Sequence, residues 1–512
     1  MEPLKIAVIG TKGMGRGHIK AIKDVAETEL VAVCDVVKSE AEAAGKEFGV
    51  PHFTAVADLL ASGRAEAVTI CTPHWHHPPI AVQCAEAGVH VLTEKPMSVT
   101  VGGADEMIAA CHEHDVVLSV VYQQRFAPIR VKARGIIESG ALGKINRAEL
   151  IYTCCRTNFY YSSGDWRATW AGEGGGVLLN QAPHLLDQFC WQVGMMPSRV
   201  TAKIETVMHP IEVEDRASAL LEYQNGATGY VHVSTAETPP LARIEIAGDK
   251  GRLRMEGGKL TVHLLEESMA EFVENSDQMW ATPPAKDLQE IDLSTGGDWL
   301  QGHAAHMKDL AEAVRTGSRP ACTGEEGRWS VELADAIILS SQRGEPVDLP
   351  LDRDVYDGLM RSLSHGLDPR SKGVDGRARA RREAQKQAVR DAAQKAIDAV
   401  ESAAHTAGGA VMSAASRLRE AAERLAGKAP AGTEKAAPKK AAPKKAAKKK
   451  AAKKKASPKR AAKKPAKKAK KKTAKKKPAK KKTSKKKPAK KKPAKKAKKA
   501  KKTAKKKPGK KG

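Results

Sequence analysis

Three short stretches of this 512-residue sequence carry residue types that could do chemistry together. Gly10-Thr11-Lys12-Gly13-Met14-Gly15 ends one apolar run and opens an amphipathic one. Glycines at such a junction let the backbone approach a pyrophosphate at a helix N-terminus. The stretch departs from G-x-G-x-x-G at its middle position, which is Lys12. Asp35 closes the next apolar run 20 residues beyond Gly15, where a carboxylate accepts hydrogen bonds from ribose hydroxyls and repels a 2′-phosphate. NAD is therefore expected over NADP, although Lys12 and Lys38 leave NADP open. The second stretch, Cys71-Thr72-Pro73-His74-Trp75-His76-His77, follows another apolar run. Its histidines raise a zinc reading, but no H-E-x-x-H or carboxylate partner at ligand spacing supports one, and no metal is expected. A loop at the carboxyl end of a strand is in any case a cofactor and substrate rim. The third stretch is Glu94-Lys95-Pro96. In a nucleotide cleft the Lys95 ammonium can hydrogen-bond an alcohol or carbonyl oxygen undergoing hydride transfer; elsewhere it would be a solvated strand end.

The elements that must position these groups are legible as far as about residue 350. Short β-branched runs at Leu4–Gly10, Leu30–Asp35, Ala67–Cys71, His90–Glu94 and Val117–Tyr122 alternate with amphipathic stretches, including Ile19–Val25, Lys38–Phe48 and Ile80–Ala87. Strand, helix, strand at this spacing predicts a doubly wound parallel sheet, an α/β Rossmann domain over 1–125. Beyond Leu142-Gly143 the runs lengthen: Ile145–Thr153, Arg199–Thr206, Ala217–Tyr223 and Thr228–Thr235. Asn225-Gly226 is a hairpin signal, because both residues tolerate positive φ, and Gly248-Asp249-Lys250-Gly251 separates two further runs. These features predict an α+β domain over 126–350 with a large open antiparallel sheet. Helices at Ala182–Trp191, His303–Arg315 and Glu325–Ser341 are expected to cover one face.

Composition divides the chain a second time. The net charge of +30 arises from residues 431–512, where 42 Lys and one Arg face Glu434 alone; the preceding body is net −12. A uniformly basic nucleic-acid-binding globule is thereby excluded. All 20 aromatic residues lie at or before Tyr356, so no large core is expected after it. Residues 371–428 are rich in Ala and charged residues, with apolar positions spaced alternately by four and three, which predicts a helical segment. From 429 to 512 the Lys-Ala-Pro repeats predict a disordered polycation. The N-terminus lacks a secretory pattern and no apolar run approaches a bilayer's thickness, so a cytoplasmic protein is expected. The eight cysteines form no C-x-x-C pair and read as free thiols.

Glu94-Lys95-Pro96 after a dinucleotide loop, Thr72-Pro73 with His77, and Gly174-Gly175-Gly176 through His184 and Asp187 together resemble the Gfo/Idh/MocA family of NAD(P)-dependent oxidoreductases, over residues 4 to about 350. The resemblance implies hydride transfer between nicotinamide and a secondary alcohol of a sugar, inositol or related polyol, with homo-oligomerisation. The family's motif residues fall on Lys95, Asn180 and His184, with Asn180 standing where the family commonly has Asp. His184 is the expected base, since an imidazole titrating near neutrality suits an alcohol proton. Expected cofactor contacts are Gly10, Lys12, Gly13, Met14, Gly15, Asp35, Thr72, Pro73, His77, Glu94 and Lys95. Gln123, Arg125, Trp166, Arg167 and Asp187 are expected around the substrate. The tail resembles those of linker histones and bacterial histone-like proteins, which implies non-specific binding to nucleic acid through residues 431–512 and association with the nucleoid; an acidic membrane surface competes as partner. Two alternatives remain: a nucleoid-associated DNA-binding protein with an idle redox body, and a redox-neutral NAD-dependent glycosidase-type enzyme.

Overall fold

The structure, a computed structural model, describes residues 2–164, 166–292 and 299–364. The helical segment expected over 371–428 and the basic tail lie outside them.

Six short strands form the first sheet: β1 (Leu4–Ile9), β2 (Thr28–Cys34), β3 (His52–Phe53), β4 (Ala67–Ile70), β5 (His90–Thr93) and β6 (Leu118–Val120). They lie in the order β3-β2-β1-β4-β5-β6, all parallel. Strands buried on both faces need continuous apolar runs, and β4 is buried at every position. Two apolar clusters cover the two faces, one around Ile70, Val91 and Met107, the other around Ile6, Ile19 and Ile22. The strand order reverses between β1 and β4. Their carboxyl ends carry the Gly10–Gly15 and Cys71–His77 loops, which therefore flank the crevice where such folds bind ligands.

Nine strands form the second sheet: β7 (Ile145–Cys155), β8 (Arg199–Glu205), β9 (Arg216–Glu222), β10 (Thr228–Ser234), β11 (Ala236–Gly248), β12 (Gly251–Glu256), β13 (Lys259–Leu265), β14 (Ala285–Asp292) and β15 (Val347–Asp348). Their order is β14-β13-β12-β11-β7-β10-β9-β8-β15. The β9–β10 and β11–β12 hairpins fall at the two expected turns, with Gly226 at φ 85°. The sheet is mostly antiparallel, as expected, with one parallel pairing, β10 with β7. Between these strands lie a helix, Pro183–Val193, and the β8–β9 meander, a crossover long enough to bring the chain back in the same direction.

Helices Pro183–Val193 and Gly324–Arg343 supply Leu186, Phe189, Ile337 and Ile338 to one face of this sheet. The other face leaves Leu220 61% and Tyr230 37% exposed. The helix Trp299–Thr316 returns to the first domain and buries Met307, Leu310 and Ala311 against Ile19 and Ile22. Residues beyond the expected boundary near 125 thus complete the Rossmann layer, tied further by Val120 N donating to Cys322 O (3.2 Å).

Candidate active site

The cofactor side is built mainly from backbone. Helix Met14–Asp24 starts at Gly13 (φ 49°) with no side-chain cap and no acidic residue in its first turn, so its first N–H groups and positive dipole end are offered to an anion. A Cβ on Gly15 would lie 1.9 Å from Gly10 O, so only glycine permits this turn. Asp35 Oδ2 accepts from Thr11 N and Thr11 Oγ1, both at 2.9 Å, and Oδ1 accepts from Val37 N at 3.0 Å. The carboxylate expected at a ribose therefore also pins the phosphate loop, a coupling through Thr11 that sequence reasoning did not single out. Val36 beside it is 77% exposed, an apolar surface open to a flat ring. Lys12 points away to Glu40 (3.2 Å). This uncapped helix end, glycine turn and carboxylate fit a dinucleotide.

His77 is fully buried, with Nε2 2.8 Å from Thr72 O and Nδ1 2.9 Å from Pro96 O. Both ring nitrogens are thus occupied, and the residue expected at the cofactor braces the Thr72-Pro73 loop against the Lys95-Pro96 turn. Glu94 is buried against His18, whose Nε2 lies 2.7 Å from Glu94 Oε1, with His303 Nε2 at 3.8 Å. Ligand atoms of these three residues all lie within 4.8 Å of one another, and among the described residues they are the group able to close on a metal ion. The histidines at 74 and 77, by contrast, turn to backbone carbonyls.

Lys95 opens onto a cleft of about 390 Å³ lined also by Gln124, Arg130, Tyr152, Arg156, Tyr160, Asn180 and His184. Its Nζ donates to Asn180 O at 3.0 Å. Burial pushes the Lys95 pKa down from its ordinary value, Arg167 adds to that, and the charges of Glu94 and Glu173 oppose it. His184 stands in the first turn of its helix, edge-on to Tyr122 (5.8 Å between centroids). Burial, followed by the Lys95 charge, pushes its pKa down to about 3, so the imidazole is neutral throughout the physiological range. His184 Nδ1 is buried without a hydrogen-bond partner among the described residues. A neutral imidazole with a vacant nitrogen, beside an ammonium, can take up a proton while the ammonium stabilises developing negative charge on oxygen.

Asn180 is held from two sides. Its Oδ1 accepts from Tyr160 Oη (3.0 Å), and its Nδ2 donates to the fully buried Glu173 carboxylate. Glu173 also accepts from Ala168 N (2.7 Å) and pairs with Arg167 (3.2 Å), which in turn donates to Tyr160 Oη (3.0 Å). Ala168 sits at φ 61°, a strained conformation for a residue with a Cβ, at the turn that presents Trp166 and Arg167. A Cβ at Gly176 would lie 1.8 Å from Glu214 O, which explains why this segment must be glycine where it passes the stretch leading into β9.

Lys95, Asn180 and His184 converge on one cleft, with Trp166 and Arg167 beside it: the Arg167 guanidinium lies 4.8 Å from the Tyr160 ring and 4.6 Å from that of Trp166. Gln123 has a buried, unpartnered Oε1, but Gln124 is the neighbour that reaches the cleft. Arg125 and Asp187, expected at the substrate, instead form a buried ion pair (2.6 Å) that ties the Gln123–Phe126 turn to helix Pro183–Val193. Arg125 also pairs with Glu326, and neither member lies on the cleft wall. Sequence reasoning missed Arg130, Tyr152, Arg156, Tyr160 and Glu173. None belongs to a motif, and Glu173 stands out in the sequence only as the acid directly before Gly174-Gly175-Gly176.

The chain is similar to known proteins across both of these domains. Residues 4–122 match the oxidoreductase family NAD-binding Rossmann fold of GFO/IDH/MocA proteins, and residues 131–254 match the GFO/IDH/MocA C-terminal domain. The chain is 26% identical over 356 residues to D-apiose dehydrogenase of Paraburkholderia graminis, covering 68% of this chain and 90% of that one. It is 23% identical over 357 residues to myo-inositol 2-dehydrogenase of Thermotoga maritima, covering 68% and 98%. Among solved structures, the WlbA dehydrogenase of Bordetella pertussis in complex with NADH and UDP-GlcNAcA is 29% identical, with a TM-score of 0.58 over 69% of this chain and all of that one.

Proposed function

We propose that the chain oxidises a secondary alcohol of a sugar or related polyol, or reduces the corresponding ketone, at the Lys95 cleft with NAD as cofactor; the match of residues 4–122 and 131–254 to the two GFO/IDH/MocA domains supports this reading. The observation that carries this reading is the convergence of Lys95, His184 and Asn180 on one hollow beside the dinucleotide loop. Relatives named as apiose and inositol dehydrogenases, and a structural neighbour solved with a nucleotide-linked sugar, support the substrate class.

NAD supplies the hydride acceptor when bound. Gly10, Gly13, Met14 and Gly15 would hold its phosphates, and Asp35 its adenosine ribose. Within the cleft, Asn180 orients a substrate hydroxyl, the Lys95 ammonium hydrogen-bonds the reacting oxygen, and His184 receives the hydroxyl proton. With Asn at position 180, that position supplies no carboxylate to raise the basicity of His184, and the Glu94 charge opposes burial and Lys95 only in part. Glu173 instead fixes the amide, so that Asn180 serves as a positioning group.

The open sheet face bearing Leu220 and Tyr230 supports a homo-oligomer. For residues 431–512 we propose non-specific, counterion-driven binding to nucleic acid, which would hold the enzyme near the nucleoid. No helix among the described residues is long and apolar enough to cross a membrane.

One pair of preparations tests the reading: the full chain and a chain ending at residue 430. Both should bind NAD and form NADH with some member of a panel of aldoses, inositols and sugar acids, whereas the full chain alone should be retained on duplex DNA with steep salt dependence. NAD binding without turnover anywhere on the panel would favour an idle redox body. Sugar conversion without net NADH would favour redox-neutral chemistry.

A further inference from the structure

Among the described residues, three cations, Lys95, Arg130 and Arg156, line the cleft, and no carboxylate does. Lys95 has Glu94 and Glu173 as counter-charges. The two arginines have none among the described residues. Arg130 lies in the first turn of helix Pro128–Glu138, a turn without acidic residues whose dipole end adds positive potential. Its side-chain contact is a 3.7 Å approach to Met255 Sδ, and burial alone pushes its pKa down to about 10, with no neighbouring carboxylate opposing. Arg156 donates to the adjacent Cys155 O (3.0 Å) and lies over the Tyr160 ring at 5.3 Å.

Other arginines around this site are paired: Arg125 with Asp187 and Glu326, Arg167 with Glu173. A guanidinium half-withdrawn from water without a counter-ion is costly to the folded protein. It persists most readily where the missing charge arrives with a ligand, and a planar guanidinium matches carboxylate or phosphate oxygens in pairs. The dinucleotide phosphates do not meet this need, because they belong at the Gly10–Gly15 loop.

We infer that the substrate of this cleft is an anionic polyol, a sugar acid or sugar phosphate, whose carboxylate or phosphate is received by Arg130 and Arg156 while its reacting hydroxyl lies at Lys95 and His184. The inference rests on the dehydrogenase reading for the second half of that sentence and on the unpaired arginines for the first.

The test uses the full chain saturated with NAD and three matched ligands: D-glucose, D-glucuronate and D-glucose 6-phosphate. Calorimetric binding and NADH formation are measured separately. At least one anion should bind about thirty-fold more tightly than glucose, an advantage that added salt erodes. Preference for glucuronate identifies a carboxylate, and preference for the 6-phosphate a phosphate. Arg130→Gln, or Arg156→Gln if the first folds poorly, should reduce the advantage to a few-fold. Arg130→Gln should also leave the melting temperature of the ligand-free protein equal or higher, because it removes an uncompensated charge; a purely structural arginine would show a fall. Equal binding of all three ligands, binding of none, or an anion preference indifferent to both substitutions would overturn the inference. Oxidation of glucose without anion preference would sink it while sparing the dehydrogenase reading. Tight, Arg130-dependent anion binding with no NADH from any ligand would sink the dehydrogenase reading instead.

Discussion

The cofactor rim and the substrate cleft share Lys95 but are built on different plans. The rim is mostly backbone: an uncapped helix end, glycines that no other residue could replace, and Asp35 holding the loop through Thr11. The cleft is mostly side chain, gathered from the Gln123–Phe126 turn, the helix Pro128–Glu138, β7, the short helix Asn158–Tyr161 and the helix Pro183–Val193. A ligand common to many enzymes is met by atoms every residue possesses. A ligand particular to one enzyme is met by side chains that can be exchanged without disturbing the scaffold.

The largest effect should come from the residue at the join. Lys95→Ala should lower the rate of hydride transfer about a thousand-fold while NAD affinity stays within a few-fold, since in the proposed mechanism the ammonium acts on the reacting oxygen and the phosphates lie at the Gly10–Gly15 turn. Single-turnover NADH formation and NAD titration on the same preparation read the two quantities. Equal losses in both would erase the distinction between rim and cleft, and an unchanged rate would remove Lys95 from the chemistry.

Gly15→Ala should act in the complementary way. The new Cβ would meet Gly10 O at 1.9 Å, so the turn must open and withdraw its N–H groups from the pyrophosphate. NAD affinity should fall about a hundred-fold. The variant should still bind sugar ligands if the cleft is assembled independently, and calorimetry without cofactor would show this. Retained NAD affinity would mean that the phosphates sit elsewhere.

The same contrast explains what was legible in the sequence. Gly10 to Gly15 and Asp35 are recognisable because backbone geometry restricts which residues can stand there, and because strand, turn and helix follow one another without interruption. The parallel sheet was legible for a related reason, as strands such as Ala67–Ile70 are apolar at successive positions. The cleft was legible only where a motif marked it, at Lys95, Asn180 and His184. Arg125 and Gln124 show why the rest was not. They are neighbours in one turn, yet Gln124 faces the cleft and Arg125 turns inward to Asp187, and nothing in their types decides which does which. Tyr152 and Ala242 make the point across strands: register sets a small residue directly opposite an aromatic one and leaves a hollow, but register between strands 90 residues apart is a tertiary fact. The parallel β7–β10 pairing escaped notice likewise, since the hairpin signal at Asn225-Gly226 reports only on β9 and β10.

The smallest predicted effect concerns protons. His184, with a folded pKa of about 3 against an ordinary value near 6.5, is neutral in both folded and unfolded chains above pH 6.5 and contributes no pH dependence there. As pH falls below 6.5 the unfolded chain takes a proton that the folded one refuses, so stability declines, by about 1.4 kcal/mol per unit, until the folded pKa is reached. At pH 5 the cost is about 2 kcal/mol for His184, and burial of His306, with its pKa also pushed down to about 3, adds a similar amount. His184→Asn should therefore remove about 2 kcal/mol of the difference in stability between pH 7 and pH 5, whereas Gly15→Ala should leave that difference unchanged. Denaturant melts of the three proteins at both pH values measure it. An acid-induced loss as large in His184→Asn as in the parent would mean that the imidazole reaches water, and that the cleft is wetter, and its base stronger, than its burial beside Lys95 implies.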